Sequence, residues 1–203
     1  MTLKLYHCKG ARSVRPLWTL EEMGLDYELV SMKFPPRFFQ KDYLEVNPLG
    51  TVPFFMDGEA QMTESAGISQ YLAEKYGPAD IALPVDHPEY GDYLNWIHRS
   101  DATLTFPQTI VLRYTMLEPE ERRLKQAAED YTQWFFARLR SVEQALEGKE
   151  YLCAGKFTLA DICIGYALYL ATTLGFKDSF KPNTAAYYER LSARPAFQRA
   201  ISL

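Results

Sequence analysis

The sequence predicts a two-domain protein, an α/β domain over residues 1–77 followed by an all-helical domain over 88–203. Three observations carry that prediction. Short β-like runs alternate with helical spacing as far as Gly77, then Pro78, Pro84 and Pro88 punctuate a stretch without any period, and everything beyond reads as helix. Residues 78–87 are accordingly the expected linker.

Leu3–His7 has the pattern of a short strand. From Ser13 to Met23 the apolar residues Val14, Leu17, Trp18 and Leu20 fall at helical spacing, and Gly24 supplies a stop. Tyr27–Met32 is a second strand, Phe38–Val46 a short irregular helix, and Asn47-Pro48-Leu49-Gly50 a turn. Pro53–Met56 and Gln61–Thr63 flank Asp57-Gly58, the strongest hairpin signal in the chain. Glu64–Tyr76 is a helix stopped by Gly77-Pro78. The order β-α-β-α-β-β-α is the thioredoxin-like arrangement, a parallel pair completed by an antiparallel hairpin. Beyond the linker, long helices are expected over 88–117 and 119–146, the first kinked at Pro107. A third begins at Thr158, and shorter ones follow Lys181 and Pro195.

Composition excludes several classes. With 47% hydrophobic and 24% charged residues the chain is that of a globular protein, and a net charge of −4 gives no footprint for nucleic acid. The first ten residues lack the apolar core of a signal peptide, and no apolar run is long enough to span a bilayer. Cys8, Cys153 and Cys163 are irregularly spaced without a histidine cluster, so neither a disulfide framework nor a metal site is expected. These features read as a reduced, cytoplasmic protein.

The chemistry is concentrated between Asn47 and Ile68. Pro53 cannot donate to a ladder, so it begins a strand rather than sitting inside one. If Val52-Pro53 is cis, the turn frees the Val52 N–H and C=O to pair with an extended peptide. Glu64 and Ser65 open a helix whose N–H groups suit a carboxylate, with the Ser65 hydroxyl as a further donor and Glu64 as an acceptor for an ammonium group. A backbone clamp beside a zwitterion trap fits a tripeptide headed by an α-amino acid. In the second half, Phe157-Thr158-Leu159-Ala160-Asp161-Ile162 reads as a capping box, with Asp161 answering Thr158 in a structural role.

The run NPLGTVPFF, then DG, then TESAGISQYLAEKYG resembles the glutathione site of the soluble glutathione transferase family. LYH followed by RSVRPLWTLEEMGLDYELV is similar to the first strand, helix and second strand of a bacterial and fungal branch of it. The resemblance implies that Val52 holds the cysteinyl backbone of glutathione, that Pro53 is cis, and that Glu64 and Ser65 hold the γ-glutamyl end. It implies a homodimer that uses glutathione as co-substrate, without a metal, against a small hydrophobic electrophile or an organic peroxide. Asp101 lies where some relatives reach a partner's γ-glutamyl ammonium. Phe106, Arg113 and Tyr166 are the expected walls of the electrophile pocket.

The thiol must be held as thiolate by a donor or positive charge near the first helix. Relatives use a serine, cysteine or tyrosine there, and this chain has Ala11 and Arg12 at the positions of the serine and cysteine. Ser13 with Arg12 assisting is the leading expectation, with Tyr6 and Cys8 as the other groups in reach. The same departure admits an alternative, a non-catalytic interaction module similar to stringent starvation protein.

Overall fold

A computed structural model describes residues 2–77 and 80–203, and the chain divides into two compact units. The first holds the chain up to Ala82 together with Ser192–Leu203, and the second is Leu83–Leu191.

The first unit is built on a four-stranded sheet of order β2-β1-β3-β4. β1 (Leu3–Cys8) pairs in parallel with β2 (Tyr27–Met32) and antiparallel with β3 (Phe54–Asp57), which forms a hairpin with β4 (Ala60–Met62). Between β1 and β2 lies α1 (Val14–Met23), closed by Gly24 in the left-handed conformation at φ 62°. The expected irregular helix resolves into α2 (Pro36–Phe39) and α3 (Tyr43–Val46), and α4 (Ser65–Lys75) follows the hairpin. Strand alternation gives the sheet two faces. Leu3, Leu5 and His7 of β1 share the face of Phe55, whose ring meets Tyr71 of α4 at 6.2 Å. The opposite face gathers Cys8, Tyr43, Val52 and Phe54, with Tyr6 and Ala11 packed against them.

Asp57 closes β3 rather than sitting in the turn, because it pairs with Ala60. One of its carboxylate oxygens accepts from Lys75 at 2.5 Å, Tyr71 at 2.8 Å and Tyr76 at 2.7 Å, tying the hairpin to the end of α4. The Lys75 hydrogen bond first, and the two tyrosines after it, hold the Asp57 carboxyl down at about 2.

The second unit contains α5 (Tyr90–Arg99), α6 (Phe106–Leu112), α7 (Lys125–Ala145), α8 (Leu159–Thr173) and α9 (Pro182–Ser192). The kink expected at Pro107 takes the form of widened, π-helical turns over Ser100–Thr105. Proline has no N–H to close a regular turn, and the Thr105 hydroxyl donates to the Ser100 carbonyl at 2.7 Å within the widened segment. α8 is buried all round and forms the centre of the unit. Its capping box is complete: Asp161 accepts from the Thr158 N–H at 2.7 Å and hydroxyl at 3.0 Å, and also from the Leu152 N–H and the Tyr187 hydroxyl.

Two expectations about boundaries need restating. Pro78 and Ala79 of the expected linker lie outside the described residues, and 80–87 consists of turns and bends. The helical domain was expected to run to residue 203, but α10 (Pro195–Ser202) belongs to the first unit. Its Phe197 meets the Trp18 ring edge-on at 4.7 Å, Arg194 grips Glu22 through two bonds of 2.6 and 2.9 Å, and Arg199 pairs with Glu21. An aromatic contact and two ion pairs to α1 outweigh its place in the sequence. Among the described residues no helix is long and apolar enough to cross a membrane.

Candidate functional site

Strand register brings three segments to one end of the first unit. Tyr6 of β1 lies opposite Phe54, and Phe55 lies opposite Met62. The segments after β1, before β3 and after β4 therefore share one end of the sheet. They are Cys8–Ser13, Thr51–Pro53 and Thr63–Ser65.

The middle segment is held from beneath. The Val52–Pro53 peptide bond is cis, and Val52 precedes the first ladder pair of β3. The Thr51 carbonyl accepts from the Tyr43 hydroxyl at 2.7 Å and from Asn47 Nδ2 at 2.9 Å, which fixes the peptide leading into Val52. Asn47 also accepts the Leu49 N–H at 3.2 Å, and its own carbonyl takes the Gly50 N–H at 2.8 Å. Gly50 sits at φ 60°, and a Cβ there would lie 2.9 Å from carbons of both Arg37 and Leu44, so only glycine fits.

The third segment is the start of α4. Glu64 is exposed and extended (φ −85°, ψ 112°), and no side chain caps the helix. Its first-turn N–H groups are thus left for an external acceptor. Ser65 is 2% exposed, and its Oγ accepts from Arg15 Nη1 at 2.9 Å, while Arg15 itself is 0% exposed. A hydroxyl carries one proton and two lone pairs, so accepting from Arg15 leaves the Ser65 proton to be donated elsewhere.

The first segment differs most from expectation. Ser13 is 0% exposed, and its hydroxyl does not cap α1. It lies 2.9 Å from His7 Nδ1, accepts the Cys8 N–H at 3.3 Å and stands 3.4 Å from the Cys8 carbonyl. All these contacts point inward, so the hydroxyl anchors the turn instead of facing a ligand sulfur. Cys8 is buried, and burial pushes its thiol up to about 11, which makes it inert. Tyr6 turns to the opposite sheet face, packed on Tyr43 at 5.5 Å and Phe54 at 5.8 Å. Arg12 is half-buried on the turn itself. The first twenty residues carry Lys4, Lys9, Arg12 and Arg15 and no acidic residue, so the local potential is positive.

The remaining expected residues lie in the second unit. Asp101 is half-buried in the π-helical turns, and Phe106 is exposed beside Tyr131 at 6.1 Å. Arg113 is clamped to Glu118 by two 2.8 Å bonds, which occupies its guanidinium. Tyr166 is 2% exposed inside α8, where it packs in the core of the helical unit. Sequence reasoning missed His7, Arg15, Tyr43 and Asn47. Asn47 was visible only as part of a turn, and nothing in sequence links Arg15 with a serine fifty residues later.

A four-stranded thioredoxin-like sheet in one unit and an all-helical second unit define a two-domain class of protein. Residues 1–74 match the glutathione S-transferase N-terminal domain, and residues 107–195 match the glutathione S-transferase C-terminal domain. The chain belongs to the glutathione S-transferase family. It is 29% identical to glutathione S-transferase GstA of Escherichia coli O157:H7, with 98% of each chain covered. Glutathione S-transferase 3 of Zea mays is also 29% identical, over 98% of this chain and 93% of its own. Among solved structures, the ternary complex of BphK, a bacterial GST, superposes with a TM-score of 0.86 at 28% identity, covering 98% of both chains.

Proposed function

We propose that this protein binds glutathione at the shared end of the first unit's sheet and activates its thiol for attack on a small hydrophobic electrophile. The observation that carries this reading is the uncapped start of α4 with its Arg15-backed Ser65, at the same end of the sheet as the Val52 peptide held through the Thr51 carbonyl. The Val52 peptide pairs with the cysteinyl backbone. The γ-glutamyl carboxylate takes the Ser65 hydroxyl and the α4 N–H groups, and Glu64 takes the ammonium. This leaves the cysteinyl sulfur toward the turn after β1. There the positive field of Arg12 and Lys9 favours the thiolate, and Ser13 holds the turn from within.

The thiol proton passes to solvent, and the thiolate forms a C–S bond to the electrophilic carbon as the leaving group departs with its electron pair. The working form is a cytoplasmic homodimer. Retention on immobilised glutathione with elution by free glutathione tests the binding half of the reading. Turnover of a nitroaryl halide, an epoxide, a hydroperoxide and a disulfide tests the chemistry. Retention without any turnover favours the interaction-module alternative, and loss of both removes the reading altogether.

A further inference from the structure

His7 occupies a place that favours a hydrocarbon. It lies on the sheet face of Leu3, Leu5 and Phe55, is 1% exposed, and its Nε2 has no hydrogen-bond partner. A buried ring nitrogen without a partner is destabilising, so the residue calls for a compensating role. The other nitrogen supplies one. Nδ1 stands 2.9 Å from Ser13 Oγ. Burial first, and Lys9 second, pull the imidazole down to about 4, which leaves the ring neutral near neutral pH. A neutral ring carries one proton, so Nδ1 either accepts from the Ser13 hydroxyl or donates to it, and both tautomers keep the His7–Ser13 bond. The Ser13 hydroxyl also accepts the Cys8 N–H at 3.3 Å and reaches the Cys8 carbonyl at 3.4 Å. The turn is closed again by the Ala11 N–H on the Cys8 carbonyl at 3.0 Å.

We infer that His7 is a positioning residue for thiol activation: through Ser13 it locks the Cys8–Ser13 turn that presents Arg12 to the glutathione sulfur. The inference rests on the proposed glutathione site and adds to it a residue that never touches the ligand. Removing the ring at position 7 loosens the turn, moves the positive charge away from the sulfur and weakens thiolate stabilisation. Binding of the γ-glutamyl end at α4 is left as it was.

The test is the ionisation of bound glutathione, followed by its ultraviolet thiolate absorbance across pH, together with kcat and KM. Loss of the partner in His7→Leu, or of the hydroxyl in Ser13→Ala, is expected to raise the bound-thiol pKa by about one unit, a loss of thiolate that approaches ~10-fold at pH values below that pKa. The fall appears in kcat, with KM for glutathione changed less than about threefold. His7→Asn, whose side-chain amide can bond Ser13 where Nδ1 does, is expected to restore both the pKa and kcat. An unchanged thiol pKa in folded His7→Leu, or in Ser13→Ala where His7→Leu fails to fold, overturns the inference. So does His7→Asn behaving as His7→Leu. Wild-type protein that takes up no glutathione overturns this inference and the proposed function together, whereas wild-type uptake with unaltered variants overturns this inference alone.

Discussion

Arg15 and Ser65 join α1 to the first turn of α4 through a 2.9 Å hydrogen bond between side chains buried from solvent. Thr19 and Ser69, one turn further along each helix, repeat the contact at 2.9 Å. The helix that follows the Cys8–Ser13 turn is thereby fixed to the helix that begins at Ser65.

The first prediction concerns that bond. Ser65→Ala removes the donor proposed for glutathione and leaves the Arg15 guanidinium short of one acceptor. We expect glutathione affinity to fall ~10-fold or more and stability to fall by about 1–3 kcal/mol. Titration calorimetry and urea unfolding read the two effects separately. Unchanged affinity in a destabilised variant would confine Ser65 to a structural role.

A second prediction is the pH dependence set by His7. Its folded-state value of about 4 lies below its ordinary 6.5, so the unfolded chain takes up the proton first. The contribution is complete above 6.5 and is lost as pH falls from there toward 4. Comparing unfolding at about pH 7 and about pH 5, His7 should account for a loss on the order of 2 kcal/mol. His7→Leu should flatten that part of the profile. An identical slope in the variant rules out His7 as its source.

Asp161 supports a third. Four donors converge on its carboxylate, from Leu152, Thr158 twice and Tyr187, all within the second unit. Asp161→Ala leaves these groups without their acceptor and should cost about 3 kcal/mol or more. Because none of its partners belongs to the first unit, glutathione affinity of the folded fraction should be retained. Selective loss of affinity at wild-type stability would contradict the structural assignment.

Ala154 is a fourth case, with opposite sign. It adopts φ 55°, in the left-handed region, ahead of Gly155 at φ 60° in the turn that brings Cys153 to Lys156. A side chain is disfavoured there by roughly 1 kcal/mol. Ala154→Gly should raise stability by up to about that amount in urea unfolding, after offset by the added freedom of glycine in the unfolded chain. A destabilised variant would show that the methyl group makes contacts worth more than the conformational cost.

What the sequence revealed and what it hid divide along physical lines. The hairpin at Asp57-Gly58, the turn at Val52-Pro53 and the Thr158–Asp161 box are local devices, written within a few residues of one another. The helical unit's outline was legible for the same reason, since spacing of apolar residues is a local signal. The fate of α10 was not, because an eight-residue amphipathic helix carries no record of which unit covers it. Ser13 looked like a cap or a catalytic donor, and its engagement with His7 depends on how β1 lies beneath the turn. Arg15 and Ser65 meet only because α1 and α4 pack together, and Asn47 with Tyr43 acts through a carbonyl that no motif displays.

The most direct measurement is calorimetric titration of the intact protein with glutathione, set beside the dipeptide Cys-Gly, which lacks the γ-glutamyl group. The geometry at Val52, Glu64 and Ser65 predicts saturable binding at one site per chain, with Cys-Gly weaker by ~10-fold or more because the charge-assisted contacts at α4 are lost. Equal affinity for the two ligands, or no saturable binding of glutathione, would contradict the account.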